Sequence, residues 1–166
     1  WRHGDWIKLN ARMGCVIYGR SDSTINRQGI RMGTSEIYRV VERFAEVVDS
    51  LVIDLEALGQ ESYMPLFIVL REGATLTNEL QAAIKRKIRE ELSPRHVPNA
   101  IFAIAEVPYT LSGKKMEVPI RKILLGRPIA KAVKRDAMRN PSALGYFLQF
   151  AAQVKSRRVD YVSKAQ

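Results

Sequence analysis

"TNELQAAIKRKIREELSP", residues 77–94, decides the fold class. Leu80, Ile84, Ile88 and Leu92 recur every fourth residue, which places them on one face of a helix. Thr77 is a side chain that can cap the first turn, and Ser93-Pro94 halts the helix. An apolar stripe of that kind must be buried against another layer. The flanking sequence offers one. Residues 50–57 and 63–70 read as strands joined by a loop around Gly59, "REG" at 71–73 breaks the second, and "AIFAIA" at 100–105 reads as a buried strand. Upstream, Ile37, Val40, Val41, Phe44 and Val48 recur at helical spacing, predicting a helix over about 35–46. Thr34 would cap it, with Glu36 in the first turn where the helix dipole favours an acid. The order from residue 35 is α-β-β-α-β, so the predicted class is α+β: a small sheet with packed helices.

Both ends extend this unit. Residues 6–9 and 15–18, separated by "NARMG", read as a short β-hairpin, followed by "STIN" as a strand and "RQG" as a turn. Downstream, Pro119 can open a short helix with Ile120, Ile123 and Leu124 inward, ending at Gly126. Asn140-Pro141 reads as an N-cap and first helical residue, with Leu144, Phe147, Leu148 and Ala151 on one face of the helix that follows. From about Lys155 the polar, basic sequence predicts fraying. "HGDW", residues 3–6, gives the first strand no run-up, and the chain therefore reads as the end of something larger.

Composition narrows the class. The chain has 166 residues, 46% of them hydrophobic, enough for a packed core. Cys15 is the single cysteine, so no internal disulfide framework exists and a reducing compartment is implied. No apolar run approaches the roughly 18 residues of a membrane span, and nothing resembles a signal peptide. The expectation is a soluble, cytoplasmic protein that does not meet the membrane. The net charge of +10 is uneven: residues 121–164 hold eleven Lys or Arg against Asp136 and Asp160. A basic tail explains this more simply than a nucleic-acid cleft. A small basic nucleic-acid-binding domain stays as the alternative from another class, though no RNA-recognition or helix-turn-helix signature is present.

Two stretches can carry chemistry. "LSGKK", residues 111–115, is a small-residue loop able to deliver a lysine to an anion. It is no Walker A loop, because Pro108 stands where the first glycine would be and no Ser or Thr follows Lys114. "GRSDSTINRQGIRMGTSEI", residues 19–37, sets Arg20 and Arg31 about a strand-turn-strand unit, with glycines at 19, 29 and 33. Arginine suits bidentate phosphate contacts. Asp5 in "HGD" could accept two ribose hydroxyls. His3 and His96 have no neighbouring nucleophile or metal-ligand partner, and His96 reads as a structural loop residue.

Taken in this order, "HGD", residues 19–37 and "PYTLSGKKMEVP" resemble the final motifs of the adenylate-forming, acyl-CoA synthetase superfamily: a "TGD"-type stretch, "GRxDD.I...G.R.G..EIE" and "PKTxSGKxxR". The resemblance covers about residues 1–125. The departures, with "NPSALGYF" in the tail, narrow it to a branch whose acid is acetoacetate; a ligase for another short-chain acid is the alternative within the class. It implies that residues 1–20 end an N-terminal adenylation domain, 21–125 form the small C-terminal domain, and 126–166 are a helical, basic extension. That adenylation domain is the implied partner. It would supply the phosphate loop, the acyl pocket and the Mg2+ that accompanies ATP.

The resemblance also implies roles. Lys114, which follows Gly113, matches the adenylation lysine and is open to acetylation, implying a lysine acetyltransferase and a deacylase as partners. Asp5 matches the acid on the ATP ribose, and Arg20 and Arg31 match arginines near the nucleotide phosphates. Asp22 falls at the hinge between domains. Gln28, Gly29 and Arg89 align with coenzyme A contacts, Arg89 with the 3′-phosphate. Phe44 stands where relatives have a cation-binding histidine, so no metal is expected on this chain. The isolated chain is expected to be inactive.

Overall fold

A computed structural model describes residues 5–20, 24–27, 30–55 and 63–163, with side chains described at 7, 9–15, 24–27, 31–55 and 63–153. The chain divides into two compact units, Trp1–Ala103 and Ile104–Gln166.

The first unit opens with two antiparallel pairs: β1 (Asp5–Leu9) with β2 (Cys15–Arg20), and β3 (Ile25–Arg27) with β4 (Ile30–Met32). The first turn is made by "NARMG" as expected. Asn10 N–H donates to the Gly14 carbonyl (2.9 Å) and Met13 N–H to the Asn10 carbonyl (3.0 Å), with Met13 at φ 60°. Helix α1 (Thr34–Val41) follows, then strands β5 (Val47–Val52) and β6 (Pro65–Leu70), helix α2 (Asn78–Glu91) and strand β7 (Ala100–Ala103). The sheet order is β5-β6-β7, antiparallel then parallel. This is the α-β-β-α-β order read from the periodicity, and the α+β class holds.

The core of this unit forms where the helical stripes meet the sheet. Ile37, Val40 and Val41 of α1, Ile84 and Ile88 of α2, and Val47, Leu66, Ile68 and Ile101 of the strands are buried in one cluster. Leu80 and Leu92 pack at its margin, so the four-residue repeat is a true interior face. Thr77 caps α2 as expected, its side chain accepting from Leu80 N–H at 3.2 Å. The same hydroxyl and the helix N-terminal backbone hold the Glu79 carboxyl below the usual carboxylate range, backbone bonding being the larger cause. Ser93-Pro94 ends the helix in a short 3-10 turn, Pro94–His96.

Two local expectations are corrected. Thr34 does not cap α1: Gly33 occupies that position with extended backbone, and Thr34 is the first helical residue, buried at 6% exposure. The helix also ends five residues early. Val47 and Val48 are β-branched and suit a strand, where Val47 pairs with Leu70. Val47 is then buried and Val48 55% exposed, the period-two outcome, so Val48 leaves the helical stripe. Finally, the loop around Gly59 lies outside the described residues.

The second unit is helical around a small β arrangement. It contains α3 (Glu117–Leu124), α4 (Ile129–Ala132), 3-10 turns at Arg135–Ala137 and Pro141–Ala143, and α5 (Leu144–Ser163). Helix α3 begins two residues before Pro119 and buries Ile120, Ile123 and Leu124. Leu144, Phe147, Phe150 and Ala151 are buried on α5, which packs against α3; Leu148 is half-buried and Phe150 takes the inward place. Tyr146 stacks on Phe150 at 6.2 Å, and burial pushes its phenol upward. Contrary to the expected fraying, α5 continues through Lys155 to Ser163. Its lysines and arginines are good helix formers, and no glycine or proline interrupts residues 146–163.

The interior face of α2 predicts a graded response. Ile88, with no exposed surface, should cost about 2–5 kcal/mol on truncation to alanine. Thr77→Ala, which removes one capping bond, should cost about 1 kcal/mol. Urea denaturation of the chain, comparing midpoints, checks both values and their order.

Candidate functional site

The "TLSGK" stretch folds as a three-residue hairpin loop. Gly113 N–H donates to the Thr110 carbonyl (2.9 Å), and Thr110 N–H donates to the Lys114 carbonyl (2.9 Å). Gly113 has φ 76°, the left-handed conformation that such loops need at their third position and that glycine adopts without strain. Thr110 fastens the loop from within: its Oγ1 accepts from Lys114 N–H at 3.0 Å and lies 3.0 Å from Ser112 Oγ. Leu111, Ser112, Gly113 and Lys114 are exposed, whereas Lys115 is half-buried. Among the described residues, the Lys114 ammonium makes no hydrogen bond or ion pair. Lys115 does engage other groups. The two adjacent lysines therefore differ: one is held in the fold, and the other projects from a constrained tip.

The base of the loop is bonded along both edges. On the inner edge, Met116 N–H donates to the Pro108 carbonyl (3.0 Å) and Tyr109 bridges to Lys115. On the outer edge, Leu111 N–H donates to the Ala137 carbonyl (3.0 Å), Arg139 N–H donates to the Tyr109 carbonyl (3.0 Å), and Thr110 bridges to Met138. The Arg139 guanidinium lies 5.1 Å from the Tyr109 ring centroid. The sequence reading missed this outer edge, because no periodicity or turn chemistry pairs residues 109–111 with 137–139.

Asn140 is the N-cap and Pro141 the first residue of the turn Pro141–Ala143, as expected, but the Asn140 side chain makes no capping bond. Oδ1 accepts from Tyr109 N–H (2.9 Å), and Nδ2 donates to Glu106 Oε2 (2.7 Å) and to the Val107 carbonyl (2.8 Å). Ser142 Oγ donates to the other carboxylate oxygen of Glu106 at 2.8 Å.

The remaining expected site residues belong to the first unit. Asp5 and Arg20 face each other as partners in the β1-β2 ladder, so two residues assigned to one nucleotide are brought opposite one another; their side chains lie outside the described residues. Arg31 is exposed on β4, opposite Asn26. Arg89 is exposed in the last turn of α2, where the helix C-terminus favours a cation. Asp22, Gln28 and Gly29 lie outside the described residues.

Several polar residues prove to be braces. His96 is one, as expected: Nδ1 lies 2.8 Å from Ser93 Oγ and Nε2 3.4 Å from Glu36 Oε2. Arg27, which sequence reading passed over, donates to the Arg95 (3.1 Å) and Val97 (2.7 Å) carbonyls and to Asn99 Oδ1 (3.1 Å). An open hollow of about 380 Å³ between α1 and α2 is lined by Phe44, Arg43, Arg86 and Lys87 among others. Glu91 pairs with Lys87 and with Arg43, and those two cations hold its carboxyl below the usual range. Phe44 packs against the core. Among the described residues no group of three His, Cys, Asp or Glu could hold a metal ion. No helix among the described residues is long and apolar enough to cross a membrane.

No family model matches the chain. Individual proteins do. Acetoacetyl-CoA synthetase of Caenorhabditis elegans is 44% identical over 152 residues, covering 90% of this chain and 21% of that protein. Acetoacetyl-coenzyme A synthetase of Rhizobium meliloti is 42% identical over 147 residues, covering 89% of this chain and 22% of that protein. Among solved structures, acetoacetyl-CoA synthetase from Streptomyces lividans superposes with a TM-score of 0.81 at 44% identity, over 92% of this chain and 23% of that one. The chain thus spans about a fifth of the length of the relatives it matches. Both the sequence and the fold of the segment agree with the C-terminal part of those enzymes, and the chain belongs to the acetoacetyl-CoA synthetase family of adenylate-forming ligases.

Proposed function

We propose that the chain is the mobile C-terminal part of an AMP-forming acetoacetate–CoA ligase and supplies its adenylation cation, Lys114. In the first half-reaction the acid's carboxylate oxygen attacks the α-phosphorus of ATP, giving acyl-adenylate and pyrophosphate. In the second, the coenzyme A thiol attacks the acyl carbon and AMP leaves. The observation that carries the reading is the Lys114 loop: an exposed lysine without a partner among the described residues, on a hairpin bonded at both edges. Bringing a carboxylate against a triphosphate is opposed by like charge. A fixed ammonium that bridges acyl oxygen and phosphate offsets that repulsion and orients the pair.

Around it, Asp5 would hold the ribose hydroxyls and Arg20 and Arg31 the phosphates; the ladder pairing of Asp5 with Arg20 supports one shared ligand. Gln28, Gly29 and Arg89 would meet coenzyme A in the second step. Residues 1–20 would close the adenylation domain, 21–125 form the small domain and 126–166 an extension, with Asp22 as hinge. The adenylation domain would supply the acyl pocket and Mg2+, so this chain alone would not turn over. Its compartment would be the cytoplasm. Acetylation of Lys114 would remove its charge and switch adenylation off, with a deacylase restoring it.

The loop chemistry predicts a sharp contrast between neighbours. In the complete enzyme, Lys114→Ala or acetylated Lys114 should lower pyrophosphate release at least 100-fold, in line with removal of a transition-state contact. Lys115→Ala should stay within about threefold. Thioester formation from supplied acetoacetyl-adenylate and coenzyme A should be spared in both. Normal pyrophosphate release by Lys114→Ala refutes the proposal. Asp22→Pro, which fixes φ near −65°, should leave one half-reaction running while overall turnover falls at least tenfold; equal loss of both half-reactions in a folded variant removes Asp22 from the hinge.

A further inference from the structure

We infer that Asn140 is a positioning residue for Lys114: it locks the segment Glu106–Tyr109, the root of the lysine hairpin, onto the following chain. The inference rests on the reading of Lys114 given above. Asn140 uses both ends of its amide on that root, accepting from Tyr109 N–H and donating to the Val107 carbonyl and the Glu106 carboxylate. Ser142 then holds the free oxygen of Glu106, so the carboxylate is gripped at both atoms. Two residues beyond Tyr109, the backbone is bonded to Ala137 on its outer edge. Residues 137–142 therefore grip the hairpin root through side chain and backbone at once.

The chemistry of the grip explains why an amide is needed. One partner of Asn140 is an N–H donor and the other two are acceptors. Only an amide side chain of this length offers both. Aspartate would set an oxygen against the Val107 carbonyl and a second negative charge against Glu106. Alanine would leave Tyr109 N–H and Val107 C=O to find other partners in a half-buried site.

The mechanical consequence falls on Lys114. Its side chain ends in a long flexible stem, so the direction of the hairpin sets where the ammonium arrives. A misplacement of about 1 Å in a reacting group can cost on the order of 100-fold in rate. Ser112, Gly113 and Lys114 do not constrain the direction of the tip relative to the unit, since they are exposed and their own bonds close only the loop. That constraint comes from the root, and Asn140 makes three of its bonds.

The test uses the complete enzyme with the two half-reactions measured separately. Asn140→Ala should lower kcat for pyrophosphate release about 10–100-fold, with KM for ATP within about twofold and thioester formation from supplied adenylate within about threefold. Ser142→Ala, a surface change that leaves Asn140 in place, should show the same pattern at about 2–10-fold. Because Asn140 acts through Lys114, the double variant Lys114→Ala/Asn140→Ala should be no slower than Lys114→Ala alone. Wild-type adenylation in both single variants overturns the inference. So does equal loss in the two half-reactions, which would mark a merely structural residue, and so does a double variant slowed by the product of the single effects. Lys114→Ala, run alongside, separates the two claims: if it keeps normal pyrophosphate release the Lys114 reading fails, whereas a dead Lys114→Ala with a fully active Asn140→Ala removes only Asn140.

Discussion

The second unit depends on one short strand being bonded on both edges. Residues 108–111 lie between 114–116, which follow them directly, and 137–139, which come some twenty-five residues later. A two-residue hairpin arm bonded on one edge alone would be marginal in water. The second edge changes that, because Leu111 N–H and the Tyr109 carbonyl then have partners and the tip inherits a fixed direction. Helices α3 and α5, with Ile120, Ile123, Leu124, Leu144 and Phe147 buried, hold the intervening chain so that residues 137–139 return to the strand. Lys114 is thus an exposed cation on a rigid support.

The first unit solves a different problem. Its exposed Arg31 and Arg89 stand on β4 and α2, in a unit whose stability comes from apolar stripes. Ile84 and Ile88 on α2 and Ile37, Val40 and Val41 on α1 are buried against β5, β6 and β7. The braces at Arg27, His96 and Asn99 tie the loop after α2 to β3, α1 and the start of β6. Residues of this kind look like candidate ligands in a sequence, since His and Arg carry chemistry elsewhere. Here their hydrogen bonds are spent inside the fold, whereas Arg89 is exposed in the last turn of α2.

How much was legible follows from the range of each interaction. The α2 stripe, its Thr77 cap, the Ser93-Pro94 stop and the "NARMG" turn are all determined within a few residues, and each was readable. The end of α1 was not. Val48 fits the helical period, but pairing of its neighbour Val47 with Leu70, twenty-three residues away, puts both in a strand. The partners of the Asn140 side chain were hidden for the same reason. Asn-Pro does start the turn Pro141–Ala143, yet the amide is drawn to Glu106, Val107 and Tyr109, whose nearness no local pattern reveals. The stretch "LSGKK" stood out in the sequence as a small-residue loop with a lysine, and its fold as a hairpin tip with Gly113 at positive φ agrees with that; the role of Lys114 came from the family resemblance alone. The outer support of the loop was not legible, because that support is made by tertiary contact.

The central claim is that a single ammonium at position 114 enables adenylation. Its most direct test is reconstruction. Lys114→Cys in the complete enzyme removes the cation, and alkylation of that thiol with 2-bromoethylamine rebuilds a lysine-length ammonium, with identically treated wild type and Lys114→Ala as controls. The account predicts that pyrophosphate release is lost in Lys114→Cys and returns by at least tenfold on aminoethylation, while treated Lys114→Ala stays inactive. Loss in Lys114→Cys with no recovery after complete alkylation, or no loss at all, would contradict it.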